Sequence, residues 1–343
     1  MTTNGDAAVK VVPVRHRGRW VGVAFALLFM AMLVHTLFSK VPTGQVACTT
    51  TNGLRRCHNI VNWRFSWNVV GQYITTAEIM HGLLITLELT VLSMFIGILL
   101  GIIVAVMRLS KNRLLSATAW SYTWFFRGTP VFVQLFFWLY IALLYPKISI
   151  GLPFLHFVPF THVAFWSLSA TSIFTPFKAA VVALGLNEAA YMSEIARSGL
   201  IAVDEGQIEA ATSIGMTRSQ TLRLVVLPQA MRVIIPPTGN EVISMLKTTS
   251  LASAIGVTEL IGAATNIYSA NYEIMPLLIV ASLLYLVVTT ILSIGQFYLE
   301  RHFAKGALRT PPPTPMQRIA QDARGVASKF RTRRGVVVPK VTS

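Results

Sequence analysis

The chain has 343 residues, of which 54% are hydrophobic and only 12% are charged, and its mean hydropathy is +0.61. This composition is too apolar for an ordinary soluble domain and predicts a membrane protein. The formal net charge of +16 does not indicate a nucleic-acid partner, because much of it lies in a Pro-containing C-terminal segment with few aromatic residues.

Six apolar segments are long enough to cross a hydrocarbon core of about 30 Å, which takes roughly 20 helical residues. They predict an all-α membrane protein with about six transmembrane helices. The first segment follows basic residues, as a signal peptide would, but its apolar run is long and the cleavage site after it is poor. We interpret it as a retained span. The segments are 20–38, 82–107, 119–145, 178–202, 230–254 and 274–298.

Lysine and arginine are concentrated in alternate loops and at both ends of the chain. Because basic loops stay in the cytoplasm, both termini are predicted to be cytoplasmic. This topology divides the chain into a cytoplasmic segment 1–19, a first span 20–38, an external loop 39–81, a five-span core 82–300 and a disordered basic tail 301–343. The tail either attracts anionic headgroups of the lipid bilayer or serves only to enforce topology.

The external loop contains Cys48 and Cys57, the only two cysteines of the chain. Outside the cytoplasm such a pair forms a disulfide or remains as two free thiols, and we expect the disulfide. We expect no metal site, because His58 is the only further ligand nearby. A second external segment, 146–175, contains prolines and aromatic residues and is predicted to be an interfacial turn or a re-entrant piece.

No catalytic motif is present in the sequence. It lacks a GxxxxGK[ST] phosphate loop, an HExxH zinc pair and a GxSxG elbow. We therefore expect no catalytic residues, no metal and no cofactor bound by this chain.

One polar segment, GQIEAATSIGMTRSQTLRLVVLP at 206–228, lies between strongly apolar spans. Helix-forming residues run from Glu205 to Ser213, and Gly215 provides a helix stop. Thr217 and Gln220 then have the spacing of a capping box, which predicts a second helix returning to the membrane near Pro228. The segment is predicted to be an exposed cytoplasmic elbow.

The elbow resembles the EAA signature of permease subunits of bacterial ABC importers. Three further segments resemble the polar amino acid branch of the histidine, glutamine and arginine type. They are YTWFFRGTPVFVQLFF at 122–137, LNEAAYMSEIARSGL at 186–200 and LPQAMRVIIPPTGNEVISMLKTTSLASAIGVTEL at 227–260. The resemblance covers about 120–260, extends loosely to 300, and leaves out the first 80 residues and the tail.

The resemblance implies a type I ABC importer permease-like core that couples an amino acid path to separate ABC ATPase subunits, which use ATP and Mg. It further implies a second permease subunit, identical or different, and an extracytoplasmic amino acid binding protein, in the inner membrane. The implied ATPase-coupling residues are Glu209, Ala210, Ala211, Gly215 and Pro228. The two alanines would allow close approach by the ATPase.

Charged residues within spans are costly and mark a pathway or a pair. Arg127, about ten residues into the third predicted span, suits a substrate carboxylate, or it is tied to span-end carbonyls or to Glu88. Glu188 suits the cationic group of a basic amino acid, or it forms a structural pair with Lys247. Glu194 and Arg197, three residues apart, are predicted to pair.

The fifth predicted span contains Pro236 and Pro237, which should interrupt its helix. If the freed backbone faces a water-filled path, Asn240, Lys247 and Thr248 line that path. A simple packing kink is the alternative.

Two other classes of protein are consistent with buried charges in a membrane. A secondary amino acid transporter or channel independent of ATP would need no elbow, and internal inverted repeats, which would favour it, are not visible. An intramembrane enzyme would need a nucleophile and base or a metal cluster, and the sequence shows neither.

Overall fold

The computed structural model describes residues 17–51, 54–63, 66–144, 147–151, 164–169 and 174–303. The predicted tail and most of the predicted N-terminal segment lie outside these residues. The helices are α1 (Arg17–Phe38), α2 (Trp67–Tyr73), α3 (Ala77–Arg108), α4 (Arg113–Gly128), α5 (Val131–Leu144), α6 (Pro176–Ile201), α7 (Glu205–Ser213), α8 (Arg218–Ile255), α9 (Leu260–Asn271) and α10 (Ile274–Phe303).

Two of the described helices, α3 and α10, are long and apolar enough to cross a membrane on their own. The number rises to four if each of two bent pairs, α4 with α5 and α8 with α9, is one span. Of the remaining helices, α6 has 26 residues but includes charged side chains, and the apolar part described for α1 is only Gly22–Thr36. The six predicted segments correspond to the four helices α1, α3, α6 and α10 and to the two bent pairs.

The centre of the fold is the contact between α3 and α6. Small residues let the two backbones approach closely, as is common between membrane helices. A Cβ added to Gly101 would lie 2.6 Å from the Cβ of Met192, and one added to Gly185 would lie 2.9 Å from the side chain of Ile96. The alanines by which α6 packs against α3 and the adjacent helices are buried.

The third predicted span is not one helix. It consists of α4 and α5, which are bent by 106° at Thr129 and Pro130. Proline disfavours a helical conformation in the residue before it, and Thr129 is indeed extended, with φ −107° and ψ 143°. Arg127 therefore lies in the last turn of α4, at the bend, and not in the middle of a continuous span.

The predicted interruption of the fifth span at Pro236 and Pro237 is wrong. α8 is helical through both prolines, although it contains a π-helical turn at Thr221–Val226 and ends in a 3-10 segment at Thr249–Ile255. The side chain of Gln296 on α10 packs beside Gly239 and donates a hydrogen bond of 3.3 Å to the carbonyl oxygen of Pro236. The bend comes later, because Gly256 has a φ of +88°, which glycine adopts readily.

Both predicted external segments contain β-hairpins. β1 (Lys40–Thr51) pairs with β2 (Leu54–Trp63), and β3 (Lys147–Gly151) pairs with β4 (Ala164–Ser169), both antiparallel. In the second segment, for which an interfacial turn or a re-entrant piece is expected, the described residues form a pair of strands. In the first, the register places Cys48 opposite Cys57. The side chains of the two cysteines lie outside the described part of the structure, so their disulfide stays a prediction.

A buried carboxylate joins three helices. Glu259 is fully buried at the start of α9, where it accepts a hydrogen bond of 2.8 Å from the backbone N–H of Gly262. The hydroxyl of Tyr285 on α10 donates to the same carboxylate at 3.0 Å. Thr86 on α3 accepts a hydrogen bond from the N–H of Leu260 at 3.0 Å. Because a buried charge is stable only when it is well paired, this cluster fixes α3, α9 and α10 together.

Candidate functional site

A polar cavity of about 510 Å³ lies where α6, α8 and the α4–α5 bend meet. This volume is within the range of small-molecule sites. Its charged lining residues are Arg127, Glu188 and Glu241. The cavity therefore contains one cation and two carboxylates, an unusual concentration of charge in an apolar protein. Its other polar lining residues are Thr129, Asn187, Tyr191, Ser244 and Thr248.

Arg127 enters the cavity from the end of α4. Its guanidinium carbon lies 5.2 Å from the centre of the Tyr191 ring, a cation–π contact that orients the side chain. No ion pair of Arg127 with Glu88 is present among the described residues, and Glu88 is exposed on α3. The planar fork of Arg127 is thus available for a carboxylate.

Glu188 is only 4% exposed, yet its Oε1 atom has no hydrogen-bond partner. Within the described chain it forms no ion pair, and Lys247 is exposed elsewhere on α8. The alternative in which Glu188 forms a structural pair with Lys247 is therefore not found in the described part of the structure. A buried carboxylate oxygen without a partner is costly, and a cationic ligand would satisfy it.

Hydrogen bonds hold the α4–α5 bend against α6. Gln134 donates to the carbonyl of Phe126 at 3.0 Å and to the hydroxyl of Thr129 at 2.7 Å. Asn187, next to Glu188 on α6, donates to the same Phe126 carbonyl at 2.9 Å and to Gln134 at 3.2 Å. The backbone groups freed by the bend are satisfied in this way, and the bend is locked beside the cavity.

The cavity brings together three of the five residues predicted for the substrate path. Arg127, Glu188 and Thr248 line it, whereas Asn240 and Lys247 do not. Asn240 instead accepts a hydrogen bond of 2.9 Å from Gln296. Sequence reasoning had not assigned Tyr191 or Gln134 to the site. Gln134 could have been found from the sequence, because it is a lone polar residue in the apolar sequence of α5.

The predicted pair of Glu194 and Arg197 is confirmed, with a distance of 2.7 Å between Oε2 and Nη2. Arg108 at the end of α3 contacts the other oxygen of Glu194 at 3.1 Å. This ion-pair cluster connects α3 to α6 one to two turns beyond Glu188. A second, more open cavity of about 380 Å³ extends from Arg127 to this cluster.

The elbow has the predicted local structure. Helix α7 spans Glu205–Ser213, and Gly215 follows in the left-handed region with a φ of +82°. Thr217 and Gln220 form the capping box, with the backbone N–H of Thr217 donating to Gln220 Oε1 at 2.8 Å. Asp204, whose role was not predicted, caps α7 by accepting from the N–H of Gly206 at 2.7 Å.

The elbow exposes most of the residues that the resemblance assigns to coupling. Glu209, Ala210, Gly215 and Pro228 are exposed. Ala211 is only 4% exposed, which corrects the expectation that both alanines face a partner. Neighbouring helix residues are rotated by about 100°, so Ala211 faces the π-helical turn of its own chain. Ile214, which sequence reasoning missed, is 79% exposed at the tip.

A helical membrane core with a charged cavity and an exposed elbow defines a membrane transport subunit. The chain belongs to the family described as binding-protein-dependent transport system inner membrane component, whose model matches residues 97–305. This membership confirms the resemblance found in the sequence and favours the expected permease class over a secondary transporter or channel. It also identifies the chain as an inner membrane component.

Individual relatives agree with this assignment. The chain is 42% identical over 318 residues to the arginine transport system permease protein ArgU of Corynebacterium glutamicum, covering 92% of this chain and 90% of that protein. It is 38% identical to the nopaline transport system permease protein NocM of Agrobacterium fabrum, covering 66% and 90%. The similarity to ArgU extends beyond the region 120–260 that carried the resemblance.

A solved structure shows the same fold. The crystal structure of an amino acid ABC transporter with histidines includes a chain that is 34% identical to this one and superimposes with a TM-score of 0.57. The match covers 68% of this chain and 98% of that one. The type I ABC importer permease fold expected from the sequence is thereby confirmed. The two β-hairpins are additional to the helical core.

Proposed function

We propose that this permease subunit imports a basic amino acid and that the cavity between α6, α8 and the α4–α5 bend binds it. The observation that carries the proposal is the charge balance of the cavity. A basic amino acid has one carboxylate and two cationic groups, and the cavity has one arginine and two carboxylates, Arg127, Glu188 and Glu241. A neutral amino acid would leave one carboxylate unpaired, at a cost typical of buried unsatisfied charges.

Each ligand group has a matching partner. Arg127 receives the substrate carboxylate in a bidentate arrangement, because its fork geometry fits two oxygens. Glu188 and Glu241 receive the α-ammonium and the side-chain cation. The buried Oε1 of Glu188, which has no hydrogen-bond partner among the described residues, supports this assignment. The similarity to a permease whose name specifies arginine transport supports the same substrate class.

The proposed mechanism couples this cavity to a separate ATPase. The exposed elbow, with Glu209, Ala210, Ile214 and Gly215 on its surface, docks on an ABC ATPase subunit that hydrolyses ATP with Mg. A second permease subunit completes the path, and an extracytoplasmic binding protein delivers the amino acid. Both termini and the elbow face the cytoplasm in this arrangement, which the distribution of basic residues supports.

The elbow is connected to the cavity through α8. This helix begins within the elbow, at Arg218, and contributes Glu241, Ser244 and Thr248 to the lining about six to eight turns later. Displacement of the elbow by the ATPase therefore moves one wall of the cavity relative to α6. Such relative movement would separate Glu241 from Glu188 and release the bound cation.

Uptake by the complete complex in proteoliposomes tests the substrate assignment. We expect Glu188→Gln and Glu241→Gln each to lower arginine and lysine uptake relative to glutamine uptake by about tenfold or more, since a charged hydrogen bond contributes roughly 1.5–3 kcal/mol. Glu88→Gln, which removes an exposed acid outside the cavity, is the matched control. Unchanged preference in both cavity variants would refute a basic substrate.

A further inference from the structure

A groove of about 360 Å³ lies between the start of α8 and the end of α10, away from the charged cavity. Its lining combines basic and apolar side chains, and both helices contribute residues of each kind. The cationic residues are Arg223 and Arg232, His302 adds an imidazole, and the apolar residues are Leu227, Pro228, Met231 and Phe303. The groove contains no acidic residue in its lining.

The cations of the groove have no carboxylate partner within the chain as described. Both ion pairs found among those residues involve Glu194, which is far along the sequence from this region. Arg223, Arg232 and His302 are exposed. The nearest acid in sequence, Glu300, accepts a hydrogen bond from Gln296 at 2.7 Å. The groove therefore has a net positive charge that no acid among the described residues neutralises.

The position of the groove indicates where that anion lies. α10 is one of the two helices long and apolar enough to cross a membrane, and His302 and Phe303 are its last residues. α8 begins at the elbow and becomes part of the core from Ala230 onward, which is fully buried. The groove is thus at the end of a membrane-spanning helix, where arginine and lysine side chains reach the headgroup layer.

We propose that this groove binds the headgroup of an anionic phospholipid. Arg223 and Arg232 bind the phosphate, for which the guanidinium fork is well suited, and His302 lies at the same rim. The first carbons of the acyl chains lie against Leu227, Met231 and Phe303. A soluble phosphate compound would leave these apolar side chains in water. The combination of cationic and apolar side chains therefore favours a lipid over a soluble phosphate.

The occupied groove would hold the elbow at the membrane surface. Arg223 and Leu227 belong to the segment that returns from the elbow into the membrane, and Phe303 ends the helix beside it. The lipid would thus bridge the moving elbow to α10.

Native mass spectrometry of the delipidated complex with its ATPase subunits tests the proposal. Phosphatidylglycerol and phosphatidylcholine are titrated separately as the probes. We expect one phosphatidylglycerol to be retained specifically and its affinity to fall about 30-fold in Arg223→Gln/Arg232→Gln, because each basic residue contributes roughly fivefold to anionic lipid binding. Arg223→Lys/Arg232→Lys, which preserves charge, should keep most of the affinity.

The matched control is Lys111→Gln/Arg113→Gln, which removes two exposed cations from the turn between α3 and α4. We expect this variant to retain the lipid. Equal binding of the two lipids by the unaltered complex, or unchanged phosphatidylglycerol binding in the Gln variant, would overturn the proposal. Full displacement of the lipid by inorganic phosphate would assign the groove to a free anion instead. Loss of the ATPase subunit from the Gln variant, with lipid retained, would assign the groove to the ATPase interface.

Discussion

Gly97 on α3 leaves the space that the side chain of Glu188 on α6 occupies. A Cβ placed on Gly97 would lie 2.5 Å from Cγ and 2.7 Å from Cβ of Glu188. Real contacts of this kind are never so short, so the carboxylate reaches its buried position only because residue 97 has no side chain. The close packing of α3 on α6 therefore positions Glu188, which lines the cavity.

Replacing Gly97 with alanine tests this relationship. We expect Gly97→Ala to displace Glu188 and to lower substrate uptake, with a loss of about 1–3 kcal/mol in stability from overpacking. Uptake and the thermal unfolding midpoint of the purified complex are the measurements. Gly295→Ala is the matched control, because a Cβ on Gly295 meets nothing within 4 Å. Equal behaviour of the two variants would contradict the packing argument.

The contact between Arg127 and Tyr191 leads to a second prediction. Tyr191→Phe keeps the aromatic ring under the guanidinium and should leave the KM for uptake nearly unchanged. Tyr191→Leu removes a cation–π contact of roughly 0.5–2 kcal/mol and should raise KM by about two- to thirtyfold. The KM values of both variants are measured in proteoliposomes. A similar rise in both would show that the hydroxyl, and not the ring, matters.

Gly215 provides a test of the elbow. Its φ of +82° is strained for residues with a side chain, at a cost of roughly 1–2 kcal/mol, and most for β-branched ones. We expect Gly215→Val to distort the tip and to reduce uptake while ATP hydrolysis by the complex continues. Gly215→Asn is the control, because asparagine tolerates the left-handed region.

The coupling experiment measures ATP hydrolysis and uptake on the same proteoliposomes. A fall in the ratio of uptake to hydrolysis for Gly215→Val, with a nearly unchanged ratio for Gly215→Asn, is the expected result. Full uptake by the valine variant would remove Gly215 from the coupling surface.

Gln134 should be important for the α4–α5 bend. Gln134→Leu keeps the volume but leaves the Phe126 carbonyl with Asn187 as its remaining donor and the Thr129 hydroxyl without its 2.7 Å partner. We expect a loss of about 1–3 kcal/mol from the unsatisfied groups, measured as a lower thermal unfolding midpoint. Gln207→Leu on the exposed elbow helix is the control. Unchanged stability of Gln134→Leu would show that water replaces the side chain.

The facing positions of Cys48 and Cys57 support the disulfide expected from the sequence, since opposite residues of an antiparallel pair are close enough to be bridged. Intact mass before and after reduction, with alkylation of free thiols, measures its presence. We expect alkylation of both cysteines only after reduction. Labelling of both thiols without a reductant would disprove the bond.

Local features of this chain were predictable from sequence, and features set by distant contacts were not. The helix Glu205–Ser213, the turn at Gly215 and the Thr217 capping box depend on residues within one or two turns, so their spacing alone identifies them. The same holds for the pair of Glu194 and Arg197. These predictions agree with the structure because no tertiary contact competes with them.

The α4–α5 bend shows what local reasoning misses. Pro130 signals an irregularity, but the angle depends on hydrogen bonds from Gln134 and Asn187, and Asn187 lies 61 residues from Phe126. The error at Pro236 and Pro237 is the opposite one. The two prolines predict a break in the helix, but the helix continues because it packs against Gln296 on α10. Whether a proline bends a membrane helix is decided by the neighbours that satisfy its freed carbonyls.

The carboxylate of Glu259 has a mechanical consequence. Since it is bonded to Gly262 and Tyr285 and lies in one cluster with Thr86, α3, α9 and α10 cannot slide past one another without leaving a charge unpaired in the interior. They therefore keep one arrangement relative to one another, and Gln296 on α10 connects α8 to them through hydrogen bonds to Pro236 and Asn240. Gly256, in the left-handed region between α8 and α9, is the residue at which the chain turns into this cluster.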